Sequence, residues 1–208
     1  KEKSLANREE QEILSKYVGW GGLSKVFDVN AKGRFRKAQE KLKENMTSNE
    51  YESAYRTTTS AFYTPEDTIK FMYKALNKLG FKGGRILEPS MGIGNFFGLM
   101  PKEIKDKSTL TGVEIDKLSS DIAKQLYPSA KISNTGFESS NIKDNSMDLV
   151  IGNVPFGKTA PFDSEYNNLH LNLHDYFILK SLDKTRPGGI TAVITSSGSF
   201  NNENLLRL

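Results

Sequence analysis

The sequence predicts an α/β fold: a parallel sheet covered on both faces by helices, preceded by a small helical region. Three observations carry that reading. From about Thr59 onward, short apolar runs alternate with amphipathic helical segments. The runs are too short for helices and are separated by segments long enough for crossover connections. The first 58 residues, by contrast, are polar and helix-prone and contain no strand-like run. The expected division is therefore an N-terminal helical extension over residues 1–58 and a sheet-containing domain over 59–208.

Composition narrows the chemistry. The 208 residues contain no cysteine, which excludes a disulfide framework, a thiolate metal site and a cysteine nucleophile. Two histidines, His170 and His174, do not make a histidine-rich metal site, so no metal is expected. A mean hydropathy of −0.51 and the lack of a long apolar run argue against a membrane-spanning helix. The opening KEKSLANREEQEIL is charged and lacks a secretory apolar stretch, so a cytoplasmic location is expected. The net charge of +4 permits a polyanionic partner without requiring one.

Taken in order, the first helix is expected near Asn7–Tyr17, with Ile13, Leu14 and Tyr17 on one side. A glycine-rich turn, Tyr17-Val18-Gly19-Trp20-Gly21-Gly22-Leu23, surrounds the only tryptophan. That ring either anchors the segment to the main domain or stacks on a nucleobase. A basic helix near Gly33–Asn45 carries Arg34, Arg36, Lys37, Lys41 and Lys43, as a solvated face or a phosphate-contacting one. Thr47 and Glu50 stand in capping-box spacing before a third helix. Thr64-Pro65-Glu66-Asp67 reads as a helix start, with Ile69, Met72, Tyr73, Leu76 and Leu79 as the apolar face and Gly80 as the stop. Strands are expected at Arg85–Glu88, Leu110–Ile115, Ala130–Ser133, Met147–Gly152 and Gly189–Ser196. Helices fill Ile93–Leu99, Lys117–Leu126 and Leu169–Asp183, the last with Phe177, Ile178 and Leu182 as core. The stretch Gly157–Leu169 reads as a mobile loop.

Three motifs fall where doubly wound sheets bind ligands, at the carboxyl ends of strands. In Glu88-Pro89-Ser90-Met91-Gly92-Ile93-Gly94-Asn95-Phe96, the glycines allow close backbone approach and the preceding acid suits an ammonium better than a phosphate. Glu114 in Gly112-Val113-Glu114-Ile115-Asp116 lies twenty positions beyond Gly94, the spacing at which such folds hold ribose hydroxyls. Asp116 reads as a cap for the next helix. Asn153-Val154-Pro155-Phe156 directly follows an apolar strand.

These residues resemble the N6-adenine DNA methyltransferases in which the cofactor motif precedes the catalytic one, whose signature is Asn-Pro-Pro-Phe/Tyr. Ala61-Phe62-Tyr63-Thr64-Pro65 is similar to their Phe-Tyr-Thr-Pro segment, and Tyr17–Leu23 resembles methylase modules of helicase–methylase proteins in mobile elements. The resemblance implies a Rossmann-like class I fold and S-adenosylmethionine as cofactor. It implies Phe62, Tyr63 and Thr64 at the methionine end, Glu88 at the ammonium, Pro89, Gly92, Gly94 and Phe96 along the cofactor, and Glu114 at the ribose. Either Phe137 or Glu138 would meet the cofactor adenine. Asn153 and the Val154 carbonyl would accept from the target amine of a flipped adenine in DNA, Pro155 would stiffen the turn, and Phe156 would stack on the base.

Two departures stand beside this. Valine replaces the first proline of the signature, and the chain ends at Leu208, where the family continues into further strands and a target-recognition domain. A truncated core that relies on further domains of a longer polypeptide or on a specificity partner is therefore expected. The alternatives are a degenerate DNA- or protein-binding module, including an inhibitory protein of a mobile element, and a protein-glutamine methyltransferase.

Overall fold

The computed structural model describes residues 4–58 and 63–201. Its centre is a five-stranded, all-parallel sheet built from β1 (Arg85–Glu88), β2 (Thr109–Glu114), β3 (Lys131–Asn134), β4 (Met147–Asn153) and β5 (Thr185–Ile194), in the order β3-β2-β1-β4-β5. Side chains alternate between faces along a strand, and the packing follows that alternation. Ile86, Leu149 and Ile151 point into one cluster with Tyr73, Leu76 and Phe97. Their neighbours Leu87 and Val150 point into a second cluster with Phe137, Tyr176 and Phe177. Both faces are apolar, so β1 and β4 are buried on both sides, as a parallel sheet requires.

Helices α4 (Glu66–Lys78), α5 (Asn95–Gly98), α6 (Lys102–Lys105), α7 (Lys117–Leu126) and α8 (Leu173–Lys184) connect or flank these strands. Several sequence expectations are corrected. Pro65, not Thr64, occupies the N-cap of α4, with no side-chain cap. Leu79 is exposed because the helix has ended before its side chain reaches the core. The helix expected at 93–99 shrinks to α5, since Gly94 at its N-cap is left-handed (φ +85°) and cannot be a helix interior. Helix α8 starts at Leu173 because Asn172 caps it, its Oδ1 accepting from the Asp175 amide at 2.9 Å, while His170 just before is left-handed. Strand β5 pairs from Thr185 onward, with an irregularity opposite Met147–Leu149 that absorbs Pro187–Gly189.

Before the sheet lie α1 (Arg8–Leu14), α2 (Arg34–Asn45) and α3 (Ser48–Thr57). Asn7 with Glu10 and Thr47 with Glu50 form reciprocal capping boxes that start α1 and α3. Ile13 is exposed rather than packed. Phe35, Ala38 and Leu42 of α2, with Met46 just past its end, pack on Val26, Phe27 and Ala54, leaving Arg34, Arg36, Lys37, Lys41 and Lys43 exposed. The region docks on α7: the Ala6 amide donates to Gln125 Oε1 at 2.7 Å, and Gln11 Nε2 donates to the Gln125 carbonyl at 2.8 Å.

The stretch 157–169, expected to be mobile, is tied down from below. Lys180 Nζ meets Asp163 Oδ2 at 2.6 Å, and Tyr176 Oη donates to the same oxygen at 2.7 Å. Both charges are buried, and the ammonium lies 5.4–5.7 Å from the ring centres of Phe137, Tyr166 and Tyr176. Leu182, expected in this core, is exposed instead.

Removing one member of a buried pair strands the other charge, which costs about 3–5 kcal/mol. Lys180→Met should lose that much stability in urea denaturation, several times the loss from Lys102→Met, whose partner Asp106 is exposed.

Candidate active site

A crevice of about 700 Å³ opens at the carboxyl edge of the sheet, where β1 lies between β2 and β4 and the chain order reverses. Its volume falls in the range usual for small-molecule sites, about 300–1,000 Å³. Glu88, at the end of β1, Glu114, at the end of β2, and Asn153, at the end of β4, all line it.

The two acids differ. Glu88 is 2% exposed, and its Oε2 is buried with no hydrogen-bond partner. Burial, with the nearby Glu114 charge, holds its carboxyl well above the ordinary glutamate range. Glu114 Oε2 accepts from the Gly92 amide and its Oε1 from the Asp116 amide, both at 2.7 Å. Burial pushes it up to about 7, against the lowering effect of those amides. Each carboxylate oxygen has a second lone pair, so Glu114 keeps acceptor capacity toward the crevice. Asp116 caps α7, its Oδ2 accepting from the Ser119 amide and hydroxyl.

Gly92 has φ +55°, and a Cβ there would come within 3.4 Å of the Tyr63 hydroxyl, so the Tyr63 ring lies over the turn. Of the residues singled out from the resemblance, Tyr63, Thr64, Pro89, Gly92 and Phe96 line the crevice, as do both Phe137 and Glu138. Of the other expected site residues, Phe62 lies outside the described residues. Gly94 does not line the crevice; a Cβ there would strike Tyr127 at 2.5 Å, so this glycine serves packing and the left-handed cap. Val154 is buried, with its amide bonded to the Ile194 carbonyl at 3.1 Å, and Phe156 rests 6.1 Å from the His174 ring; neither lines the crevice. The Asn153 carbonyl accepts from Ser90 Oγ at 3.0 Å, coupling the β4 turn to the glycine turn after β1.

Sequence reasoning missed part of the wall. Asn49 and Glu52 of α3 line the crevice without any signal in the sequence; Gly19 and Trp20, from the turn already singled out, line it too. Trp20 meets Tyr17 and Phe27 edge-on, at 6.1 and 5.7 Å. Gly19 (φ +67°) sits so close to Tyr63 that a Cβ would approach its ring at 2.6 Å. Thr159, Ala160 and Pro161 form the wall beyond Pro155, with Leu173 and Phe177 of α8. Among the described residues, no group of three or more His, Cys, Asp or Glu could hold a metal ion, and no helix is long and apolar enough to cross a membrane.

Comparison with known proteins adds to this geometry. The sequence model of the N-6 DNA methylase family matches residues 44–206. The Defense against restriction protein B of Escherichia phage P1 is 33% identical over 155 residues, which cover 72% of this chain. The match spans only 7% of the length of that curated relative. Among solved structures, a Listeria monocytogenes protein assigned to the class I S-adenosylmethionine-dependent methyltransferases superposes with a TM-score of 0.61 at 17% identity, covering 95% of this chain and 73% of the other. A type I restriction-modification methyltransferase subunit from Streptococcus thermophilus gives 0.55 at 14% identity, covering 76% and 42%. The fold is that of the class I S-adenosylmethionine-dependent methyltransferases.

The raised carboxyls fix the sign of a pH effect. Between about 4.5, the ordinary glutamate value, and about 7, the folded chain holds a proton on Glu114 that the unfolded chain has released. Stability should therefore fall as pH rises through that window. Denaturation midpoints across it should show a shallower decline in Glu114→Gln than in the wild type; equal slopes would contradict this assignment.

Proposed function

The chain belongs to the N-6 DNA methylase family, and we propose that it is the catalytic core of a DNA adenine N6-methyltransferase, with the exocyclic amine of an extruded adenine as acceptor. S-adenosylmethionine is the cofactor that the fold class implies. The observation that carries this reading is the opening of Glu88, Glu114 and Asn153, from three adjacent parallel strands, onto one crevice.

The residues fit that cofactor. The buried, unpartnered Glu88 Oε2 asks for a cation, and an ammonium would both pair with it and hold it ionised. Glu114, with its free lone pairs, would accept from ribose hydroxyls. Tyr63, Thr64, Pro89, Gly92 and Phe96 would bound the methionine end, and Phe137 with Glu138 the adenine end. When bound, the cofactor supplies a sulfonium methyl group.

The remaining work falls to this chain. An adenine amine delocalises its lone pair into the ring and is a poor nucleophile. Asn153 Oδ1 and the Val154 carbonyl would each accept one amine hydrogen, which favours a pyramidal nitrogen with its lone pair directed at the methyl carbon. The backbone that carries both acceptors is fixed before the substrate arrives: Ser90 Oγ donates to the Asn153 main-chain carbonyl, and the Val154 amide donates to the Ile194 carbonyl. Pro155 limits the turn, and Phe156 would stack on the extruded base once its ring leaves His174. The exposed cations of α2 would meet DNA phosphates. Recognition of a target sequence is assigned to polypeptide beyond these residues or to a partner subunit.

Asn153→Ala should lower methyl incorporation into adenine-containing DNA by about 100-fold or more, while calorimetric affinity for S-adenosylmethionine stays within about threefold, given that Asn153 only borders the donor. Equal incorporation by both proteins would sink the mechanism.

A further inference from the structure

Phe162 is 83% exposed, although burying an aromatic ring is among the larger apolar gains open to a chain. Its location makes the exposure informative. The three residues before it, Thr159, Ala160 and Pro161, form one wall of the crevice. The residue after it, Asp163, is buried and accepts from Lys180 at 2.6 Å and Tyr176 at 2.7 Å. The Asp163 amide donates to Asn167 Oδ1 at 2.9 Å, and the Tyr166 hydroxyl donates to Asp183 Oδ2 at 2.6 Å. The ring is therefore flanked on one side by the crevice wall and on the other by a fastened anchor. Lys158, four residues earlier in the same loop, is exposed.

We infer that Phe162 is a DNA-contacting wedge, which enters the base stack beside the extruded nucleotide and holds the duplex open while the target occupies the crevice. The inference rests on the DNA-adenine reading above. Extruding a base leaves a gap whose neighbours have lost stacking, and an apolar ring that fills the gap replaces it. A wedge must resist being pushed back, which the buried Asp163–Lys180 pair provides. It must also stand proud of the protein before DNA arrives, as Phe162 does. The exposed Lys158 ammonium of the same loop would meet a flanking phosphate.

Two measurements test this. In Phe162→Trp, emission beyond the Trp20 background should be quenched on titration with duplex DNA, in parallel with the rise in anisotropy of the labelled duplex. An anisotropy rise without quenching overturns the wedge and leaves the DNA reading intact; no anisotropy rise at any salt concentration overturns both. In Phe162→Ala, methyl incorporation into duplex DNA should fall about tenfold or more, as loss of one base–aromatic stack implies. Incorporation into single-stranded DNA should change less than about threefold, since no duplex stack needs replacing. Equal losses on both substrates, or none on the duplex, would reject the assignment.

Discussion

The structure depends on one topological constraint: β1 lies in the middle of the sheet, and the chain leaves it in one direction for β2 and β3 and returns on its other side for β4 and β5. Parallel strands joined by right-handed crossovers force the two sets of connections onto opposite faces. The loops above β1 and β4 therefore part, and no side chain of the sheet can close the gap. Glu88 ends its strand at that parting. Its burial without a partner is unfavourable in the free protein, and Glu114 beside it adds to the cost. Such an arrangement is stable only because apolar clusters on both faces outweigh it. On the function proposed above, it marks a place where the sequence answers to a ligand rather than to packing.

The sheet was readable because its code is local. Apolar runs at Arg85–Glu88 and Met147–Gly152 could only be buried strands, and their turn residues fixed which ends faced the site. The N-terminal caps at Asn7 and Thr47 are equally local, needing only an acid three residues on. Glu88, Glu114 and Asn153 were legible for the same reason, each being the last or nearly the last residue of a strand.

What could not be read depends on distance in sequence. Lys180 carries no local signal of its role, because its partner Asp163 is seventeen residues away across a loop. Leu182 reads as core because it is apolar, whereas the buried face of α8 runs from Phe177 through Lys180, Ser181 and Lys184, the last three being polar residues that give no apolar signal. Gly94 was read as a ligand-facing glycine, and only the position of the Tyr127 ring reveals that it serves packing. Asn49 and Glu52 carry no motif; their place in the crevice follows from the docking of α3 beside α7, a tertiary event. Phe156 and Val154 show a related difficulty, since a motif can assign chemistry to a residue without saying where its side chain rests in the ligand-free chain.

The contact between Gly19 and Tyr63 has a mechanical consequence. The turn carrying Gly19 belongs to the N-terminal helices, whereas Tyr63 lies across the Gly92 turn. The two surfaces meet so closely that only a residue without a Cβ fits between them. Any side chain at position 19 would push the Tyr63 ring off the Gly92 turn, so a residue outside the sheet helps set the shape of the crevice.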